Sequence, residues 1–311
     1  EASRIRKIDL KAAGNPVSTV AGGAETGLAD GAGGPAGPAR FDRPLGMALD
    51  AAGNLYVADA DNHAIRKIAG YAGAAPVVST LAGGGPKGLA DGQGAAARFS
   101  NPTDLALGAD GKLYVVDADN RLLRRLTLDG TASFFAGSSL ATAELGQGAT
   151  AVFTQPRGLA LAPDGRLLVT DQRENAIRVV GPDASAGQLA GSRYDLADAS
   201  GNQVDFRDGT WWTARFKGPT GLAIAPDGAV IVADTRTHRV RRLDPDGWVS
   251  TIAGGGALPV GDKDGNWQGG FAEGPAATSR LDAPGGVAVG PDGTIYVADT
   301  GNHRIRVIKR R

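Results

Sequence analysis

An all-β repeat fold is the class this sequence predicts, and three observations carry the prediction. Leu55-Tyr-Val-Ala-Asp59, Asn62-His63 and Ile65-Arg-Lys-Ile68 return in the same order as Ile295-Tyr-Val-Ala-Asp299, Asn302-His303 and Ile305-Arg-Val-Ile308, and looser copies place matching aspartates at Asp117, Asp171 and Asp234. Self-similarity of this kind marks an architecture of stacked units, each too small to bury its own apolar faces. Forty-eight glycines and a single methionine in 311 residues argue against long helices. Finally, Gly53, Gly111, Gly165, Gly228 and Gly293 recur between two apolar runs, where a tight hairpin needs a residue that accepts positive φ.

Taken in order, the chain opens with Arg4-Ile-Arg-Lys-Ile8 and Val17-Ser-Thr-Val20, within a closing segment over residues 1–23 that matches the third and fourth strands of later copies. Full copies follow at about 44–83, 102–137, 156–191 and 219–254, and a partial copy at 284–309. In the fourth full copy Gly221–Ala225 is a first strand, Pro226-Asp-Gly228 its turn and Val230–Ala233 a second strand. Arg239–Leu243 is the third, and after another Pro-Asp-Gly turn Trp248–Ile252 is the fourth, so the copy is an antiparallel meander. Second strands such as Leu113-Tyr-Val-Val116 are apolar on both faces, as a sheet sandwiched between other sheets requires. Four-stranded antiparallel sheets packed face to face around an axis make the blades of a β-propeller, and residues 1–311 read as one such domain.

At Asn62-His63 and Asn302-His303 the chain resembles the NHL-repeat family, named for its Asn-His-Leu signature, with Ala64 and Arg304 in the third place. The linker Gly88-Leu-Ala-Asp-Gly92, leading to Ala97-Arg-Phe99 and Asn101-Pro102, is similar to those of bacterial members. Related forms run from Gly27 to Phe41, Asp208 to Phe216 and Glu273 to Leu281. The resemblance covers nearly the whole chain; it implies a propeller, commonly of six blades, and a family whose members bind, sense or scaffold very different partners. Five inner strand pairs are visible. Five blades result if the N-terminal strand closes the C-terminal sheet, and six if a further blade is supplied from outside this chain; both counts stay open.

Charge and composition restrict the partners. Positive and negative side chains balance at 33 each, so no net field recruits nucleic acid or an anionic membrane. No apolar run approaches the roughly 20 residues that span a bilayer, membrane insertion is not expected, and no signal peptide is visible. The chain starts at Glu1, which suggests removal of a leader or a longer N-terminal region. Absence of cysteine excludes disulfides, thiolate metal sites and cysteine nucleophiles.

Repeated polar residues read as structural. Asp59, Asp117, Asp171, Asp234 and Asp299 end second strands, where a carboxylate can accept backbone N–H groups and hold an Asx-type turn. Arg6, Arg66, Arg124, Arg178, Arg241 and Arg306 recur inside third strands, where pairing or packing between blades is expected. Asp91 with Arg98 and Asp208 with Arg215 are expected to clasp the linkers. Asp59-x-Asp61 and Asp117-x-Asp119 imitate the start of a calcium loop but lack its later glycine and bidentate glutamate. His63, His238 and His303 occupy equivalent turns on separate blades, which suits turn stabilisation and not a shared zinc. There is no Gly-x-Ser-x-Gly elbow, and the glycines after Ala82 lack the ending of a phosphate loop. No catalytic residue, cofactor or metal ligand is therefore assigned.

Departures from repetition are the candidates for function. Strand alternation places the linkers that lead into first strands on one face, here called the linker face, and the Pro-Asp-Gly turns on the other. Asp104 replaces the glycine of Gly46, Gly158, Gly221 and Gly286, and Arg157 lies beside the equivalent position one blade later; the two are expected to bind a small polar group or to bridge each other. Two expanded linkers carry Tyr194, Trp211 and Trp212, then Trp267 and Phe271. These aromatics either anchor their loops or form a partner platform on the linker face. The resulting expectation is a non-catalytic binding or scaffold module, outside the cytoplasm of a bacterium, with a protein partner first and carbohydrate second. A metal-dependent propeller lyase or lactonase and a binder of single-stranded RNA are the alternatives.

Overall fold

The computed structural model describes residues 3–138, 148, 151–191, 206–256 and 269–309. The chain divides into two compact units, residues 1–139 and 140–311.

In the first unit, β1 (Arg4–Ile8) and β2 (Val17–Gly22) form a two-stranded antiparallel sheet. Next come β3 (Gly31–Ala32), β4 (Pro44–Leu49), β5 (Leu55–Asp59), β6 (Ala64–Ala69) and β7 (Val77–Gly83), in the sheet order β3-β7-β6-β5-β4. The pattern repeats with β8 (Gly92–Gln93), β9 (Pro102–Leu107), β10 (Leu113–Asp117), β11 (Leu122–Leu126) and β12 (Thr131–Gly137), ordered β8-β12-β11-β10-β9. The core lies between sheets. Ile65 and Ala82 of one blade pack with Ala97, Phe99 and Leu105 of the next, while Ile5, Val20 and Ala21 pack with Ala39, Phe41 and Val57. Thus the Ala-x-Phe at each linker end is a wedge, and burying one such phenylalanine contributes about 1.5–3 kcal/mol.

The second unit continues with a four-stranded sheet of β13 (Pro156–Leu161), β14 (Leu167–Asp171), β15 (Ala176–Val180) and β16 (Ala186–Gly191). A five-stranded sheet follows, β17 (Gly209–Thr210), β18 (Pro219–Ile224), β19 (Val230–Asp234), β20 (Arg239–Leu243) and β21 (Trp248–Ala253), ordered β17-β21-β20-β19-β18. The last sheet has three strands, β22 (Pro284–Val289), β23 (Ile295–Asp299) and β24 (Arg304–Ile308). The same wedge operates here: Ile177 and Ala190 pack with Ala214 and Phe216, and Val240 and Ala253 with Leu281.

The fold is all-β and comprises five propeller blades, each built on an inner antiparallel pair. Helical geometry among the described residues is confined to short 3₁₀ turns such as Thr235–Thr237. Two features differ from the sequence reading. The N-terminal strands form a sheet of two and the C-terminal sheet holds three, because β1 has a third-strand sequence and pairs with its own fourth strand, β2. In addition, three linkers contribute a two-residue strand to the outer edge of their blade, β3, β8 and β17. Two residues are too few for periodicity to reveal.

Candidate functional site

The recurrent aspartates and arginines form one device, seen most fully around Arg66. Its guanidinium is fully buried, donates from Nη1 to Asp59 Oδ2 at 2.7 Å and to the Arg40 carbonyl at 2.8 Å, and from Nη2 to Asp30 Oδ1 at 2.7 Å and the Ala29 carbonyl at 2.8 Å. The guanidinium lies over the Phe41 ring, 4.9 Å from its centroid, and Nε is buried with no hydrogen-bond partner. Asp59 also accepts the backbone N–H of Asp42, 17 residues earlier, at 2.8 Å and the Asn62 amide at 2.9 Å. Arg124 with Asp117, Asp91 and Phe99 repeats the pattern, as does Arg241 with Asp234, Asp208 and Phe216. Arg306 repeats it with Asp299 and Glu273.

This geometry corrects two expectations. The backbone groups held by the strand-ending aspartates are long-range, from the end of the linker just before the first strand, and not those of a local Asx turn. The linker acids pair with the third-strand arginines, Asp91 with Arg124 and Asp208 with Arg241, whereas Arg98 and Arg215 donate to carbonyls of their own linker. Arg124 and Arg241 are fully buried, and their guanidinium groups take the acids.

Burial dominates the electrostatics of this belt. It pushes Asp117 up to about 6 despite the Asn120 and Arg124 hydrogen bonds that oppose it. Asp59, Asp171 and Asp234 are raised for the same reason. Asp30 behaves in the opposite sense: burial raises it, but the Thr80 and Arg66 hydrogen bonds prevail and hold it below the usual carboxylate range. The third blade departs from the rule. Leu145 and Val152 stand in sequence where Asp91 and Arg98 stand one blade earlier, and Arg178 donates to Gln188 Oε1 on the fourth strand at 3.2 Å.

In the two apparent calcium loops Asp59 is engaged by Arg66 and Asp61 by Arg43 at 2.6 Å, and Asp117 by Arg124 and Asp119 by the Asn101 amide at 3.1 Å. Among the described residues no group of three or more His, Asp or Glu side chains is arranged to hold a metal ion. His63, His238 and His303 take the left-handed conformation, with φ of 53°, 56° and 53°. Nδ1 of His63 accepts the Asn101 N–H at 3.2 Å and Nδ1 of His238 the Ala283 N–H at 2.9 Å, so these rings tie one blade to the next linker. Asp104 lies in β9 against Gly46, where a β-carbon would collide with its carboxylate. Arg157 lies in β13 of the other unit and donates to Gln172 Oε1 at 3.3 Å.

The expanded linker of the fourth full copy builds the one aromatic platform among the described residues. Gly209 and Thr210 pair antiparallel with Val249 and Trp248, which carries the linker down the outer edge of the blade. Trp211 then donates its backbone N–H to the Gly247 carbonyl at 2.8 Å, and its ring lies where a β-carbon on Gly247 would be. Trp212 stacks on Trp211 with ring centroids 3.7 Å apart and planes at 26°, and is 67% exposed. The pair therefore sits beside the Pro245-Asp-Gly247 turn, not on the linker face where the sequence reading put it. The physical reason is the short edge strand, which returns the chain to the other end of the blade before it turns.

A cleft of about 410 Å³ adjoins the pair. Trp211 forms a wall, Leu168, Leu189, Ile224, Val230 and Leu243 supply apolar lining, and the turns at Pro163-Asp164, Gly228 and Asp244–Gly247 form the rim. Exposed Trp248, opposite Thr210 in β21, belongs to the same corner; sequence reasoning missed it because it occupies a regular strand position. Phe271 is about half exposed and has the Arg304 and Arg306 guanidinium groups over its ring at 4.6 and 4.7 Å. Phe206 holds Arg239 the same way at 3.5 Å. Tyr194 and Trp267 lie outside the described residues.

Comparison with known proteins agrees with this architecture. The family profile described as Teneurin NHL domain matches residues 25–244, and that described as NHL repeat matches residues 281–308. The chain is 31% identical over 301 residues to human NHL repeat-containing protein 2, an alignment that covers 86% of this chain and 39% of that protein. It spans well under half the length of the curated relatives it matches. Among solved structures, a chain of the nidogen/laminin complex matches with a TM-score of 0.61 at 15% identity, over 99% of this chain and 86% of that one. A virginiamycin B lyase from Staphylococcus aureus matches with a TM-score of 0.50 at 14% identity, over 92% and 83%. At such identities the likeness is one of fold, the β-propeller. The relative is human, and a bacterial origin gains no support from it.

Proposed function

The chain belongs to the NHL-repeat family of β-propellers, and we propose that it is a non-catalytic module that binds a protein partner through the corner of Trp211, Trp212 and Trp248. The observation that carries this reading is an exposed, stacked tryptophan pair beside an apolar cleft, on a linker that departs from the repeat. Rigid aromatics supply large contact area at low entropic cost, which is why binding hot spots concentrate in them. The rim carries Asp164, Asp244 and Asp246, with Asp164 and Asp244 partly offset by Arg166 and Arg242. The partner surface that fits is an aliphatic or aromatic anchor flanked by lysine or arginine. The same carboxylates repel phosphates, which weighs against single-stranded RNA.

Carbohydrate is the second reading, favoured by the exposed ring face of Trp212, on which a sugar can stack. Affinity capture from the native source with wild type and with Trp212→Ala separates these outcomes. A protein retained by wild type and lost by the variant, with the two melting alike, supports the proposal. Retention by both, or saturable glycan binding with no protein retained, counts against it.

A further inference from the structure

The same place on the blade carries opposite charge in the two units. Two residues after the strand-ending aspartate stand Asp61 and Asp119 in the first two blades, but Arg173 and Arg236 in the third and fourth. In the first unit the linker ends satisfy these acids. Arg43 donates from Nε to Asp61 Oδ2 at 2.9 Å, and from Nη2 to Asp61 Oδ1 at 2.6 Å and Asn101 Oδ1 at 2.7 Å. Asn101 Nδ2 in turn donates to Asp119 Oδ1 at 3.1 Å. Alternating donors and acceptors close the rim of that unit.

In the second unit Gln155, Gly218 and Ala283 stand where Arg43 and Asn101 stand in the first, and none of them brings a charge. Gly218 is the meeting point. Its N–H donates to Asn175 Oδ1 at 2.8 Å, which ties it to the turn that carries Arg173. The Arg236 side chain lies so close against it that a β-carbon would stand 2.8 Å from Cγ and Cδ, and its φ of 62° suits glycine. The Arg236 N–H donates to the Lys217 carbonyl at 3.1 Å, and Arg157 donates to Gln172, the neighbour of Arg173, at 3.3 Å. Arg173 and Arg236 are exposed, and among the described residues neither guanidinium has a hydrogen-bond or ion-pair partner. The acids of these turns are buried: Glu174 accepts the Thr154 hydroxyl at 2.7 Å, while Asp171 and Asp234 belong to the belt. Asp282, at the next linker end, lies 3.3 Å from His238 Nδ1.

We propose that this rim is an anion-recognition surface, which binds an acidic segment of a partner polypeptide by pairing its Asp or Glu carboxylates with Arg173 and Arg236. A guanidinium presents a planar fork that meets a carboxylate through two parallel N–H bonds. Charge selects the sign of the partner, and composition selects its class. Residues 154–157, 171–175, 217–220 and 235–237 include no Phe, Tyr or Trp, whereas single-stranded nucleic acid is held by stacking its bases on such rings. The surface is separate from the tryptophan corner, because the Arg236 turn and the Gly247 turn lie at opposite ends of β20.

The test is fluorescence anisotropy with a labelled peptide of six glutamates and the full chain. Saturable binding is expected at about 20 mM salt, falling as salt is raised past about 150 mM. Arg173→Glu and Arg236→Glu should each weaken it about tenfold. Both side chains are exposed, so the variants should fold, which the melting temperature checks. Lys87→Glu makes the same change in net charge at an exposed position of an earlier linker; it should leave binding unchanged, as should Trp212→Ala. An equal loss with Lys87→Glu would reduce the effect to net charge and overturn the site, and a loss with Trp212→Ala would move the peptide to the corner and overturn it too. Tighter binding of a six-uridine oligonucleotide, weakened by the same arginine variants, would make nucleic acid the occupant and overturn the polypeptide. Absence of saturable peptide binding at low salt would overturn the proposal outright.

Discussion

The clasp of the second blade and the corner of the fourth use the same residue types to opposite ends. Around Arg124 an aromatic ring, Phe99, and two carboxylates surround a cation that is fully buried. At Trp211–Trp212 aromatic rings and carboxylates again meet, but the outer ring is 67% exposed and no buried ion requires it. The first arrangement recurs across blades; among the described residues the second occurs on one linker. Residue type alone does not separate structure from function here. Burial does, because a buried charge must be paired wherever it is placed, whereas an exposed indole has no structural obligation.

The largest effect should come from breaking a clasp. Arg124→Leu leaves Asp117 and Asp91 without their cation, and a loss of about 3–5 kcal/mol is expected by urea denaturation. Arg178→Leu, in the blade where glutamine serves as partner, should cost nearer 1 kcal/mol. Equal losses would erase the distinction between the two kinds of blade. Trp212→Ala should change stability by less than about 0.5 kcal/mol while weakening partner binding by about 2 kcal/mol, measured by titration calorimetry. A large drop in melting temperature would make the pair a loop anchor instead.

Smaller effects sharpen the same contrast. His238→Ala removes the acceptor of the Ala283 N–H and should cost about 1 kcal/mol, with partner affinity unchanged. The belt should also show in pH dependence. Asp117 is raised to about 6 in the fold, above its ordinary value of 3.8, so folding takes up a proton between these values. Its contribution to stability is present below 3.8 and is lost as pH rises through 6. The urea midpoint of wild type should therefore fall more than that of Asp117→Asn between about pH 4 and pH 7; an equal or opposite change would contradict the assignment.

Much of this was legible in the sequence, for identifiable reasons. Strand order, turns and blade type follow from short continuous apolar runs and turn glycines, which are local signals. The pairing of Asp91 with Arg124 was not legible, because 33 residues separate them and Arg98 lies nearer in sequence. Trp211 and Trp212 were found by their departure from the repeat, but their face was misread, since Gly209–Thr210 gives no hint of an edge strand. Trp248 was overlooked because it sits in a regular fourth strand.

The central claim is that the unrepeated corner, not the repeated belt, meets the partner. Hydrogen exchange of the chain with and without a partner captured from the native source tests it most directly. The account predicts new protection at 209–213 and 244–249, with the buried strands β6, β11 and β20 unchanged. Protection confined to the second-to-third strand turns around His63, His238 and His303, with that corner exchanging as in the free chain, would contradict it.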